Sequence, residues 1–194
     1  MKEIKVRIMN IKDFYNLHKM YNSLSYTTKR FFHPGFLGFR ELSIKWFILQ
    51  LALILSTNPI YSKIMKRIFP QAVFLPIVAI NTKNEVVGFA FIKIKEKLAN
   101  QGFIGDLGIV VKESYQGKGI GKKLMGHLIG YAKKENIRRI NLTVLTENLR
   151  AIKLYKSYGF TERKIIKGGD YWRGQILDCI EMTLHLATRE NSYY

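Results

Sequence analysis

Cysteine is almost missing from this chain. A single residue, Cys179, in 194 excludes an internal disulfide framework and any metal site built on several thiolates. Acids are scarce as well: 14 Asp and Glu face 32 Lys and Arg, a formal net charge of +18. Such a surface draws anions, whether phosphate-bearing cofactors, nucleic acids or acidic lipid heads, and says nothing of fold. Proline occurs only 4 times, and no repeat, low-complexity tract or Gly/Pro/Ser linker divides the sequence, so one domain over 1–194 is expected. Long apolar runs are absent too. The most apolar stretch, Trp46 to Leu55, contains Gln50 and is about half the roughly 20 residues that span a bilayer. The opening MKEIKVRIMNIKDF alternates charged and apolar residues where a secretory signal would be uniformly apolar. The expected location is cytoplasmic.

What is present is 47% hydrophobic and 13% aromatic, the composition of a chain that folds around one core. Ile4, Val6 and Ile8 alternate with charges and predict a strand. Asn10, with Asp13 three residues on, marks a helix start, and Phe14, Leu17, Met20 and Tyr21 give that helix an apolar face. After a loop at Phe31-Phe32-His33-Pro34-Gly35, residues 36–70 predict an enlarged apolar region of two helical segments split by Ser56-Thr57-Asn58-Pro59. Strands over 73–80 and 85–94 flank the turn Asn81-Thr82-Lys83-Asn84. Further strands are expected at 103–111, 139–145, 160–166 and 176–186, with helices over 119–134 and 149–158. Hairpins mixed with helices point to an α+β fold, a mixed α/β sandwich, and not to a doubly wound sheet.

The sharpest local pattern is Val110-Val111-Lys112-Glu113-Ser114-Tyr115-Gln116-Gly117-Lys118-Gly119-Ile120-Gly121-Lys122-Lys123-Leu124. An apolar strand enters three glycines at alternate positions, and a helix begins there. Glycines let successive amides converge on one concavity, and the helix start adds unsatisfied N–H groups and a positive dipole end. The bland alternative is a tight strand-to-helix turn. Neither familiar glycine motif fits. A Walker loop needs Ser or Thr after its lysine, whereas Lys122 is followed by Lys123, and a dinucleotide fingerprint needs G-x-G-x-x-G.

Gln116, Gly119 and Gly121 do form Gln-x-x-Gly-x-Gly, and here the sequence resembles the GCN5-related N-acetyltransferases, whose coenzyme A pyrophosphate loop carries that pattern. A second match, Asn148-Leu149-Arg150-Ala151-Ile152-Lys153-Leu154-Tyr155-Lys156-Ser157-Tyr158-Gly159-Phe160, is similar to the family's N-x-x-A-x-x-L-Y-x-x-x-G-F segment. The resemblance covers 72–186 and implies a central, largely antiparallel twisted sheet with helices on both faces. It implies transfer of an acetyl group from acetyl-CoA to a primary amine by direct attack. It implies a cofactor site at Gln116, Gly117, Lys118, Gly119, Ile120, Gly121, Lys122, Asn148, Ala151 and Tyr155, with backbone groups of Ile109, Val110 and Val111 on the acetyl carbonyl and pantetheine. Tyr155 takes the family's general-acid role toward the leaving thiolate. Asp106 falls where many members place a glutamate base; it is one methylene shorter, and its rival reading is a solvated or lysine-paired carboxylate. Read from spacing alone, Asn148 and Tyr155 lie close to two helical turns apart and share a face with Ala151.

The acceptor stays open between a protein N-terminus or lysine and a small amine or amino sugar, with the 36–70 region near it. Two non-catalytic readings compete. A nucleic-acid binder would suit the charge, but no zinc-finger, RRM or KH signature is present. A peripheral membrane protein would use Trp46–Leu55 and Lys63-Ile64-Met65-Lys66-Arg67. Apolar helices near Trp46 would equally serve a homodimer. His18, His33, His127 and His185 have no ligand-like spacing, and no metal is expected.

Overall fold

The computed structural model describes residues 3–10, 12–32, 74–98 and 102–187. Seven strands form one sheet in the order β1-β2-β3-β4-β5-β7-β6. They are β1 (Lys5–Ile8), β2 (Phe74–Ile80), β3 (Val86–Leu98), β4 (Gly102–Val111), β5 (Ile137–Leu145), β6 (Thr161–Trp172) and β7 (Gln175–His185). Every neighbouring pair is antiparallel except β4 and β5. Helices α1 (Asp13–Asn22) and α2 (Tyr26–Phe31) lie on one face; α3 (Ile120–Lys134) and α4 (Leu149–Ser157) lie on the other. The α+β expectation and the largely antiparallel sheet are both what the structure shows. The apolar helices expected over 36–70, the Ser56–Pro59 break, the Lys63–Arg67 patch and His33 lie outside the described residues.

Local chemistry sets these elements. The start of α1 is a reciprocal pair: Asn10 Oδ1 accepts from the Lys12 N–H at 2.9 Å, and Asp13 Oδ2 accepts from the Asn10 N–H at 2.7 Å. Asp13 also takes a two-pronged bond from Arg7 at 2.6 and 2.8 Å, tying the helix start to β1. Phe14, Leu17, Met20 and Tyr21 are buried as their spacing predicts, against Val78, Phe89, Phe91 and Val110 of the sheet.

On the opposite face α3 buries Ile120, Leu124, Met125, Leu128 and Ala132. Gly126 and Gly130 of α3 do not face the sheet. Both are exposed; a Cβ on Gly126 would meet only the Tyr158 hydroxyl at 3.6 Å, and one on Gly130 would meet nothing within 4 Å. The glycines that do permit close approach are in β4. A Cβ at Gly105 would come within 2.4 Å of Ile92 Cγ2, and one at Gly108 within 2.5 Å of the Phe91 ring.

These two classes of position predict opposite effects in chemical denaturation. Leu124→Ala, at full burial, should cost about 2–5 kcal/mol. Gly130→Ala should add about 0.5–1 kcal/mol by narrowing the unfolded ensemble where nothing obstructs the methyl.

Candidate active site

The β4–β5 ladder is short. It pairs Phe103 with Ile137, Ile104 with Arg139, Gly105 with Ile140 and Asp106 with Asn141, and there it ends. Both strands continue, held from outside: β4 by β3 as far as Val111, and β5 by β7 as far as Leu145. Between the parted ends opens a cleft of about 850 Å³, lined by Ile109, Val110 and Val111 on one bank and Thr143 and Val144 on the other. The Lys112 N–H bonds the Val87 carbonyl of β3 at 2.9 Å. Strand alternation then ties Val110 to β3 and turns the amide groups of Ile109 and Val111 toward the cleft. Of the three residues expected to offer backbone groups, two are aimed to do so. The Val111 carbonyl is already occupied, accepting from Gln116 Nε2 at 2.9 Å.

The glycine turn closes one end of the cleft. Gly117 and Gly119 have φ of +74° and +76°, the left-handed region, and a Cβ on either would meet nothing within 4 Å. Gly119 is the N-cap of α3 and offers no side chain to the free amides of the first turn. Gly121 also serves packing, since a Cβ there would lie 3.2 Å from Leu154 Cδ2 of α4. The carbonyl oxygen of the Gln116 side chain accepts from Arg150 Nη1 at 2.8 Å, joining the turn to α4.

All the expected cofactor residues line the cleft except Lys118. Its ammonium turns back to the Ser114 carbonyl at 2.7 Å and lies 5.3 Å from the Tyr115 ring centroid. Asn148 lines the cleft while capping α4, its Oδ1 accepting from the Ala151 N–H at 3.2 Å. Tyr155 is 6% exposed, packs on Phe160 at 5.7 Å between centroids and reaches the cleft; its hydroxyl bonds no described residue. Burial pushes this phenol well above its ordinary value, so it keeps its proton at every working pH. Tyr158 braces the two helices, its hydroxyl donating to the Lys122 carbonyl at 2.6 Å.

Asp106 is not among the lining residues. It is the last β4 residue paired to β5, at the point where the strands part, and its Oδ2 lies 3.0 Å from Lys95 Nζ. Lys95 is the residue that the β3 bulge leaves without a partner in β4. The geometry is that of the lysine-paired alternative.

Helix α2 is the part of the site that the sequence does not foretell. It spans the cleft mouth, placing Thr27, Thr28 and Phe31 in the lining. Two glutamates hold it, one on each bank. Glu113 accepts from the Ser25 N–H at 2.7 Å, and Glu147 takes a two-pronged bond from Arg30 at 2.6 and 3.0 Å. Burial would raise the Glu113 carboxyl, but hydrogen bonds involving Thr28, its own backbone and Ser25 outweigh it and hold the group down to about 2. Ser25, whose Oγ accepts from the Thr28 N–H at 3.1 Å, was a readable N-cap. Glu147 carried no local signal, because its partner is 117 residues away.

A parted parallel pair, a glycine cradle at a helix start and a tyrosine on the next helix now stand in one cleft. The model of the acetyltransferase (GNAT) family matches residues 46–160. This chain belongs to that family. Among curated GNAT and related acetyltransferases, it is 43% identical over 51 residues to a spermine/spermidine N(1)-acetyltransferase of Bacillus subtilis, covering 26% of this chain and 34% of that protein. It is 30% identical over 93 residues to an L-amino acid N-acetyltransferase of Escherichia coli, covering 45% and 57%. The chain thus spans less than two thirds of either relative's length. Its fold matches a GNAT-family acetyltransferase from Streptococcus pneumoniae with a TM-score of 0.68 at 21% identity, over 95% of this chain and 100% of that one. Among the described residues no helix is long and apolar enough to cross a membrane, and no group of three or more His, Cys, Asp or Glu could hold a metal ion.

The Glu113 tether sets a pH dependence. A carboxyl at about 2 in the folded chain, against an ordinary 4.5, stabilises the fold fully above pH 4.5 and loses that contribution as pH falls toward 2. Glu113→Gln should therefore melt below the wild type at pH 7, with the gap narrowing below pH 4.5. A gap independent of pH would show that the Glu113 charge does not hold the helix.

Proposed function

We propose that this chain is an acetyl-CoA-dependent N-acetyltransferase whose acceptor is a primary amine attacking the thioester directly. The observation that carries the reading is the single cleft in which the open glycine cradle, the freed β4 edge and the Tyr155 hydroxyl meet. The residues suit the cofactor: Gly117 and Gly119 open onto unobstructed space where a diphosphate would lie, and Lys122, Arg150 and Lys153 line the cleft as cations. Acetyl-CoA would supply an activated acetyl group and a thiolate as leaving group.

The chain's own part follows from position. The Ile109 amide on the unpaired β4 edge is a donor to a carbonyl oxygen that gains negative charge as the amine adds. Tyr155 is a proton-holding hydrogen-bond donor to the departing sulfur. In water a phenol near pKa 10 gives its proton to a thiolate near 8.5 only uphill, by roughly 2 kcal/mol. Burial of Tyr155 steepens that step unless the sulfur is desolvated with it. Hydrogen bonding to the sulfur, with transfer favoured where the bound ligand excludes water from both groups, is the role that its position supports.

The amine must also shed a proton, and Asp106, at the head of the cleft beside Lys95, is a water-relayed acceptor for it. The relatives' acceptors differ, so a protein N-terminus or lysine and a small amine or amino sugar both remain within the proposal.

Tyr155→Phe should lower turnover by roughly 10- to 1,000-fold in a thiol-release assay while leaving acetyl-CoA affinity nearly intact by calorimetry. Gly119→Val should remove that affinity, since a β-branched side chain is strained at φ +76° and would project into the cradle. Wild-type behaviour in both variants would refute the assignment. Asp106→Asn should depress kcat/KM most at neutral pH and least near the acceptor's own pKa; a uniform loss across pH would place the proton acceptor elsewhere.

A further inference from the structure

The cleft has few carboxylates to offer an acceptor. Among its described lining residues the acids are Glu113 and Glu147, and both hold α2 in place. On the α1/α2 face of the neighbouring sheet, Asp106 and Glu181 lie against Lys95 at 3.0 Å and Lys164 at 3.4 Å. The sequence from 33 to 73 contributes one acid, Glu41, against Arg40, Lys45, Lys63, Lys66 and Arg67. A second ammonium brought into this cleft would meet Lys122, Arg150 and Lys153 with no uncommitted carboxylate beside it among the described lining residues.

An anion, in contrast, has a prepared partner. Arg173 and Gly174 make the two-residue turn between β6 and β7, with φ of +47° and +90°. Such turns take Asn or Asp before Gly; an arginine there costs the turn roughly 1 kcal/mol, so the turn does not account for its presence. Its guanidinium lies 5.3 Å from the Tyr26 ring centroid and 5.4 Å from that of Trp172. Both rings lie at cation–π distance from the guanidinium carbon, and its N–H groups meet no acceptor among the described residues. Tyr26 opens α2, whose neighbouring Ser25 and Thr27 line the cleft. Trp172 packs with Phe31, another lining residue, on Leu145, Leu177 and Cys179. Arg173 is exposed and not itself a lining residue, and it stands beside α2, whose Thr27, Thr28 and Phe31 line the cleft.

We infer that Arg173 selects an acceptor amine that also bears an anionic group, a carboxylate or a phosphate, and that this cleft rejects polyamines. The inference rests on the acetyl-transfer reading and narrows its acceptor. A bidentate guanidinium would hold the anion and leave the amine to reach toward the parted strands.

The test is a thiol-release panel with acetyl-CoA: alanine against alaninamide, glucosamine 6-phosphate against glucosamine, and spermidine. In at least one pair the anionic member should exceed its neutral counterpart in kcat/KM by roughly 10- to 100-fold, with spermidine the poorest acceptor. Arg173→Asn, which suits the turn, should erase that preference by raising KM for the anionic amine far more than for its neutral counterpart. The inference is overturned if spermidine is the best substrate, if charge makes no difference, or if the preference survives Arg173→Asn. Should no amine release thiol although acetyl-CoA binds, the acceptor inference fails and the cofactor cleft stands. Should acetyl-CoA itself fail to bind, the transferase reading fails with it.

Discussion

Strands β4 and β5 hydrogen-bond to each other only as far as Asp106 and Asn141, and every property of the site descends from that parting. A parallel pair inside a sheet would ordinarily satisfy both edges along its length. Here the outer neighbours β3 and β7 hold the strands in place after the inner ladder has ended, so the gap is part of a rigid sheet. Backbone groups that have lost a strand must find other partners. The Gln116 side chain takes the Val111 carbonyl, which fixes the glycine turn to the edge it extends. The Ile109 amide group is left facing the cleft, where a ligand backbone or carbonyl can take the place of the missing strand.

The second constraint is how the cleft mouth is kept. Helix α2 has six residues, too few to be stable alone, and none of them is buried. Its position is set by charge-assisted bonds to both banks and by the tilted contact of Tyr26 with Trp172, which Arg173 adjoins. Flanking Leu24 and Phe32 pin its ends into the core against β3. A short polar helix held by charge-assisted hydrogen bonds keeps the mouth's width with little apolar surface, so the lining stays available to a ligand. The same arrangement commits the lining's two glutamates, which is why the electrostatic character of a scarcely acidic chain becomes local to the site.

Elements with a local cause were legible in the sequence. The Asn10–Asp13 start, the apolar stripe of α3 and the Asn81–Asn84 turn each depend on contacts within a few residues; Asn81 Oδ1, for example, accepts from the Lys83 and Glu85 N–H groups. The glycine motif was legible for the same reason, and its cleft-lining residues came together with only Lys118 turned away. Features resting on distant partners were not. Strand β6 was expected to stop at 166, before Gly168 and Gly169, yet it runs to Trp172. Across the hairpin Asp178 accepts from the Gly168 N–H at 2.9 Å and from Lys167 at 2.8 Å, which anchors a bulge where glycines read locally as a stop. Arg30 with Glu147, and Asp106 with Lys95, belong to the same class: side chains whose roles are decided by a residue that sequence proximity does not reveal.

The net charge of +18 reads differently once its distribution is known. As a bulk property it was equally consistent with nucleic acid, a membrane surface or a phosphorylated cofactor. In the cleft it resolves into Lys122, Arg150 and Lys153 beside the glycine cradle, while Arg173 lies outside the lining, against Tyr26 of α2. The lining also holds apolar side chains and the neutral, buried phenol of Tyr155. On the proposed transfer reading, cations beside the cradle and a low-dielectric middle favour a ligand that is anionic at its phosphate end and uncharged where it reacts. An ammonium cannot attack a thioester, so a middle that disfavours positive charge also favours the free amine that attack requires. On that reading the scarcity of acids evident in the composition bears on the reacting atoms as well as on the attraction of phosphate.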